Sequence, residues 1–204
     1  MTSVLVLNGE PPTASQLRDL AEWGLVFAAD GGARCCLEHG VRPELVVGDF
    51  DSLDLTQLPE DWKVIHRPDQ NATDFQKVLS ILPGEPDELI VLGGLGARLD
   101  HTLTNLLIAG SILPRTRIQF VGATDMLIRV TPETPFEAEF DAEQTLSLLP
   151  LQQVEGVTTT GLKWNLSDQT MGPGGQLGQS NWVQGPVSIR VTSGWIWIWM
   201  RQNV

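Results

Sequence analysis

From residue 4 to residue 121 short apolar runs alternate with helix-like stretches, and this alternation restricts the chain to a mostly parallel sheet with helices packed on it. The runs are residues 4–7, 25–29, 45–47, 64–65, 89–92 and 118–121. Between them, residues 33–39 form a short helix stopped by Gly40. Residues 73–82 have helical spacing, with Phe75, Val78, Leu79 and Leu82 on one face. Thr73 is a suitable N-cap there, with Asp74 in the first turn. Residues 101–112 read as a third helix, with Leu103, Leu106, Leu107 and Gly110 as its buried side.

After about Asp125 the pattern changes. Pro132, Pro135, Pro150, Pro173 and Pro186 punctuate short runs rich in Thr, Val, Leu and Trp, and glycines supply turns. This predicts a small all-β domain of antiparallel strands. With a boundary near residues 131–135, the expected organisation is a Rossmann-like α/β domain over residues 1–130 and a β-sandwich over 131–204. In the last run Trp195, Trp197 and Trp199 fall on one face and Ile196, Ile198 and Met200 on the other. Both faces are apolar, so this strand is expected to be covered on both sides. A dimer interface is one way to do that.

The chain has 204 residues, of which 42% are hydrophobic, enough for a sizeable core. Its formal net charge of −12 argues against a nucleic-acid partner and against an anionic membrane surface. It suits a cationic substrate. The two cysteines, Cys35 and Cys36, are adjacent, which is neither a disulfide framework nor a metal spacing. With no basic, long apolar N-terminal segment and no apolar run of membrane-spanning length, a reduced cytoplasmic protein is expected.

Four polar clusters each follow an apolar run, where open α/β sheets bind ligands. In Ala29-Asp30-Gly31-Gly32-Ala33 the glycines permit a tight turn and close approach to a phosphate or ribose. Gly48-Asp49-Phe50-Asp51-Ser52 puts two carboxylates two residues apart, a donor set for magnesium, which takes carboxylate and phosphate oxygens. In Asp69-Gln70-Asn71-Ala72-Thr73-Asp74, Asp74 is either a helix-dipole partner, worth ~0.3–1 kcal/mol, or a third metal ligand. Lys77 lies one turn on, able to reach a phosphate or simply solvated. Gly93-Gly94-Leu95-Gly96-Ala97-Arg98-Leu99-Asp100-His101 is a glycine-rich loop entering a helix, with the planar fork of Arg98 suited to phosphate. Together the clusters supply carboxylates, cations and backbone donors, which is what phosphoryl transfer needs. There is no Walker A loop, no nucleophile elbow and no zinc signature.

The order ADGGA, GDFDS, DQNATDFQKVL and GGLGARLDH, then TTTGLKWNL (residues 158–166) and GQSNW (residues 178–182), resembles thiamine pyrophosphokinase over nearly the whole chain. The resemblance implies magnesium-dependent transfer of diphosphate from ATP to the hydroxyl of thiamine, giving thiamine diphosphate and AMP, by a homodimer with its active site at the subunit interface. It implies Asp49, Asp51 and Asp74 as metal ligands. It places Asp30, Gln70, Arg98 and Asp100 in the nucleotide and phosphate region, together with Gly31, Gly32, Ser52, Thr73, Lys77 and Gly94. Ser180 and Asn181 match the thiamine pocket, toward which Gln70 is also assigned. Trp182 is the candidate for the aromatic that stacks on thiamine, with Trp164 as its competitor. Many relatives have glycine where this chain has Ala97, a harmless change unless a positive φ is needed there. A related diphosphokinase acting on another alcohol, such as a 6-hydroxymethyl-pterin, and a non-catalytic sensor of thiamine or nucleotide are the alternatives.

Overall fold

The computed structural model describes residues 1–18, 20–51, 53–140, 144–175 and 178–202. The chain forms two compact units: Met1–Ile108 with Phe120–Ala123, and Ala109–Gln119 with Thr124–Val204.

In the first unit, strands β1 (Thr2–Val6), β2 (Leu25–Ala29), β3 (Leu45–Gly48), β4 (Val64–His66) and β5 (Glu88–Leu92) pair in the order β5-β1-β2-β3-β4, every pair parallel. Val4, Leu5 and Val6 of β1, and Val46 and Val47 of β3, are fully buried, as expected of strands covered on both faces. Helices α1 (Ala14–Arg18) and α2 (Leu20–Trp23) connect β1 to β2, and α3 (Gly32–Glu38) connects β2 to β3. The pair α1 and α2 was not expected from the sequence: each is a turn or so long, too short for an apolar period to show. Gly40, with φ +68, follows α3 in the conformation that ends helices.

Helix α4 (Asp74–Leu79) starts as expected. Thr73 Oγ1 accepts from the N–H of Gln76, and Gln76 Oε1 accepts from the N–H of Thr73, a reciprocal capping box. The helix stops at Leu79 rather than Leu82. Ser80 Oγ donates to the carbonyl of Lys77 at 2.7 Å, and Pro83 disfavours helical backbone just before it. Helix α5 (Leu99–Ser111) buries only half of the expected face. Leu106, Ala109 and Gly110 are buried, whereas Leu103 and Leu107 are exposed, as is Leu99. With apolar residues nearly all round the helix, periodicity cannot choose the inward side.

The second unit is β-rich. Strands β7 (Asp125–Val130), β8 (Phe136–Ala138), β9 (Thr145–Leu149), β10 (Val154–Leu162), β11 (Gln169–Met171), β12 (Gly178–Arg190) and β13 (Ile196–Arg201) follow β6 (Arg117–Val121), which crosses the line between the units along the chain. They pair in the order β11-β10-β12-β9-β13-β7, with β8 against β12, and every resolved register is antiparallel. Its core includes Val130, Leu146, Leu148, Val157, Ile189, Ile196 and Ile198. Strand β13 is covered on both faces, as expected, but from within one chain: Ile196, Trp197 and Ile198 are all 0% exposed. A second copy is therefore not required to cover it. The buried guanidinium of Arg129 donates to the carbonyls of Ala109, Ile112, Leu113 and Thr116, where a helix C-terminus leaves acceptors unsatisfied.

Candidate active site

The carboxyl ends of β2, β3 and β5, and the start of α4, bring the polar clusters of the first unit together. Asp30, Asp49 and Asp51 each offer a carboxylate oxygen, all within 4.8 Å of one another. Three hard oxygen donors at that separation fit a divalent cation such as magnesium. Asp30 joins this group, a role the sequence did not assign to it. Asp74 is not among the three. Its Oδ1 accepts instead from Lys77 Nζ at 3.0 Å, and the same ammonium donates to Asp49 Oδ2 at 3.0 Å. Lys77 is thus not solvated: it is 5% exposed and paired with two carboxylates at the edge of the cleft.

This pairing shifts both partners. The hydrogen bond from Lys77 is the largest influence on Asp49, and with the lysine charge and a bond from Gln70 it holds that carboxyl below its ordinary range. Burial, the largest single influence on Lys77, pushes its pKa down, but the bonds and charges of Asp49 and Asp74 together outweigh it, so the ammonium titrates above its ordinary value.

A cleft of about 690 Å³ opens beside these groups, a size suited to a small-molecule ligand. It is lined by Asp49, Gln70, Thr73, Asp74, Lys77, Gly94, Arg98 and Asp100 among the residues expected from sequence. Asn8, Gly9, His101, Thr102 and Asn105 also line it, without having been assigned there. The signal for Asn8-Gly9 was available, because that turn ends β1 at the same edge of the sheet. Asn105 gave none; its Nδ2 donates to the Gly94 carbonyl at 3.3 Å. Asp30, Gly31, Gly32 and Asp51 lie outside that lining. Ser52 lies outside the described residues.

Two of the expected glycines have packing reasons to be small. A Cβ on Gly32 would meet the Val6 carbonyl oxygen at 2.1 Å, and one on Gly94 would meet the Phe120 ring at 2.7 Å. Three non-glycine positions of this site have left-handed backbone, Asp30 (φ 40) among them. Phe50, between the two GDFDS carboxylates, has φ 59 and stacks on His66 at 6.0 Å. Ala97 has φ 51, so the glycine-rich loop does use a conformation that glycine would adopt without penalty. Next to it, Arg98 and Asp100 form an exposed two-pronged pair, at 3.1 and 2.6 Å. That contact lowers the Asp100 pKa and raises that of Arg98.

In the second unit, Ser180 and Trp182 are exposed and Asn181 is buried. Trp164 is 54% and Trp182 45% exposed, unusual for the largest apolar side chain. Lys163 Nζ lies 4.7 Å over the Trp164 ring. The amide of Asn181 bonds to the backbone of both tryptophan residues. Cys36 is buried, and burial pushes its thiol up to about 12.

Carboxylates, a buried lysine and a glycine-rich turn at the carboxyl ends of parallel strands define a nucleotide-type α/β site, here followed by a β-rich unit. Residues 17–120 match the family model described as thiamin pyrophosphokinase, catalytic domain, and residues 133–196 the one described as thiamin pyrophosphokinase, vitamin B1 binding domain. The chain belongs to the thiamin pyrophosphokinase family. It is 31% identical to thiamine pyrophosphokinase 1 of Oryza sativa subsp. japonica, over 97% of this chain and 85% of that one. It is 32% identical to thiamine pyrophosphokinase 1 of Arabidopsis thaliana, over 85% of this chain and 76% of that one. The crystal structure of thiamin pyrophosphokinase from Geobacillus thermodenitrificans superposes with a TM-score of 0.82 at 25% identity, covering 100% of this chain and 98% of that one. No helix among the described residues is long and apolar enough to cross a membrane.

Proposed function

We propose that this chain carries out the reaction its relatives are named for: transfer of diphosphate from ATP to the hydroxyl of thiamine, giving thiamine diphosphate and AMP. The observation that carries this reading is the convergence of Asp30, Asp49 and Asp51 beside a nucleotide-sized cleft, in a chain matched by both family domains. The thiamine oxygen forms a bond to the β-phosphorus, the bond from that phosphorus to the α–β bridging oxygen breaks, AMP leaves, and the hydroxyl proton passes to a carboxylate or to water.

A magnesium ion held by these carboxylates would supply charge neutralisation at the transferring phosphates. Asp49 and Asp51 are its proposed ligands. Asp74 is the third carboxylate the family motif supplies, and Asp30 is the one that converges with them. Arg98, Thr73, Gly94 and Asp100 serve the ATP phosphates, with Asp30, Gly31, Gly32 and Ser52 on the nucleotide side. Lys77 acts through Asp49 and Asp74. Gln70, whose Nε2 donates to Asp49 Oδ2 at 3.0 Å, Ser180 and Trp182 serve thiamine.

Residues 1–130 form the nucleotide half and 131–204 the thiamine half, in a homodimer that works in the cytoplasm. Two unlinked cysteines support the reducing compartment. The exposed tryptophans support a surface completed by another molecule. The test is AMP release with each component omitted in turn. AMP is expected only when Mg-ATP and thiamine are both present. AMP release driven by a 6-hydroxymethyl-pterin and not by thiamine would contradict the substrate assignment.

A further inference from the structure

We propose that Asn181 is a positioning residue: it does not touch thiamine but fixes the exposed indole of Trp182. The inference rests on the thiamine reading above.

Strand β12 pairs with β9 at Gly178↔Leu148 and again at Asn181↔Leu146. Three steps along β12 therefore face two along β9, which is a β-bulge with one inserted residue. Ser180 absorbs the insertion with φ 56, in the left-handed region that a non-glycine residue rarely adopts. Its N–H is held by Ser147 Oγ at 3.0 Å. The bulge resets which residues face inward: Gln179 and Ser180 are both exposed, Asn181 turns in and Trp182 turns out.

Inside, the Asn181 amide makes three bonds, all to backbone. Its Oδ1 accepts from the N–H of Trp164 at 3.1 Å and from the N–H of Trp182 at 3.0 Å. Its Nδ2 donates to the carbonyl of Trp164 at 2.8 Å. Both lone pairs and one of the two amide N–H bonds are used, and only 7% of the residue is exposed. At 7% exposure the amide offers a substrate little surface to meet. The Lys163 N–H adds a bond to the Trp182 carbonyl at 2.8 Å. One amide thus ties the 163–165 turn to β12 while both indoles stay exposed, an aromatic surface held on rigid backbone before any ligand arrives. The Lys163 ammonium already lies over the Trp164 ring and would repel a second cation there. A cationic aromatic ring is thereby directed to Trp182.

The test is a double-mutant cycle read as thiamine KM. Asn181→Ala is expected to raise thiamine KM about tenfold, with the KM for Mg-ATP unchanged and kcat falling less than threefold. Trp182→Ala should raise it at least as much, and the double variant no further than Trp182→Ala alone, because an amide with no indole to hold has nothing left to do. Asn181→Asp keeps both acceptor bonds and should lie between wild type and Asn181→Ala; it serves if the alanine variant does not fold. Effects that multiply in the double variant, or an unchanged KM in both single Asn181 variants, would overturn the proposal. A wild-type protein that makes no AMP with thiamine would instead overturn the reading beneath it.

Discussion

The residue that gathers the site in the first unit is charged, whereas its counterpart in the second is neutral. Lys77 holds Asp49 and Asp74 by ion pairs inside the protein, while Asn181 holds two tryptophan backbones by amide hydrogen bonds. In both, a motif residue also ties neighbouring protein groups together. The difference lies in what disturbs them. An ion pair answers to pH and to any added cation, and an amide clamp to neither.

The sharpest way to break the comparison is to remove a carboxylate that has no ion-pair partner among the described residues. Asp51 is exposed, so Asp51→Asn should fold normally yet lose turnover about a hundredfold or more at saturating Mg-ATP. Near wild-type turnover would remove it from the metal set. Lys77→Met comes next, because it leaves Asp49 and Asp74 facing each other without the ammonium. A loss of about 1–3 kcal/mol in denaturant unfolding is expected, less than for a fully buried pair because Asp74 is 40% exposed at its side chain.

The same variant tests the pH dependence. The Asp49 carboxyl is held below its ordinary value of about 3.9. The stability from its pairing is therefore present at neutral pH and lost as pH falls below ~4 through the folded-state value. Lys77→Met should flatten that acid limb, whereas Asn181→Ala should leave its slope unchanged. Within the aromatic pair, Trp164→Ala should raise thiamine KM less than threefold, against about tenfold for Trp182→Ala. The reverse order would show that the lysine over Trp164 does not exclude the substrate. The smallest effect belongs to Ala97→Gly. Relief of the left-handed φ should add up to ~1 kcal/mol, measured by urea unfolding.

How much of this could be read from sequence follows from the range of the interactions. The parallel strands were legible because buried strands are continuous apolar runs ending in polar turns; residues 25–29 match β2 residue for residue. The capping of α4 was legible because Thr73 and its helix are local. The buried side of α5 was not, since Leu103, Leu106 and Leu107 are equally apolar and only tertiary packing distinguishes them. In the site, GDFDS announced two carboxylates, but that Asp30 converges on them depends on β2 and β3 being neighbours in the sheet. The commitment of Lys77 to Asp49 crosses 28 residues of chain, and the bulge at Ser180 depends on the register with β9. Neither leaves a trace in spacing.

The most direct test of the central claim, that the carboxylate site drives diphosphate transfer to thiamine, is a product analysis with ATP labelled at the γ-phosphorus, in the presence of Mg²⁺ and thiamine. The expected result is label in thiamine diphosphate, with one unlabelled AMP formed for each. Thiamine monophosphate accompanied by ADP, or label released only as inorganic phosphate, would contradict it.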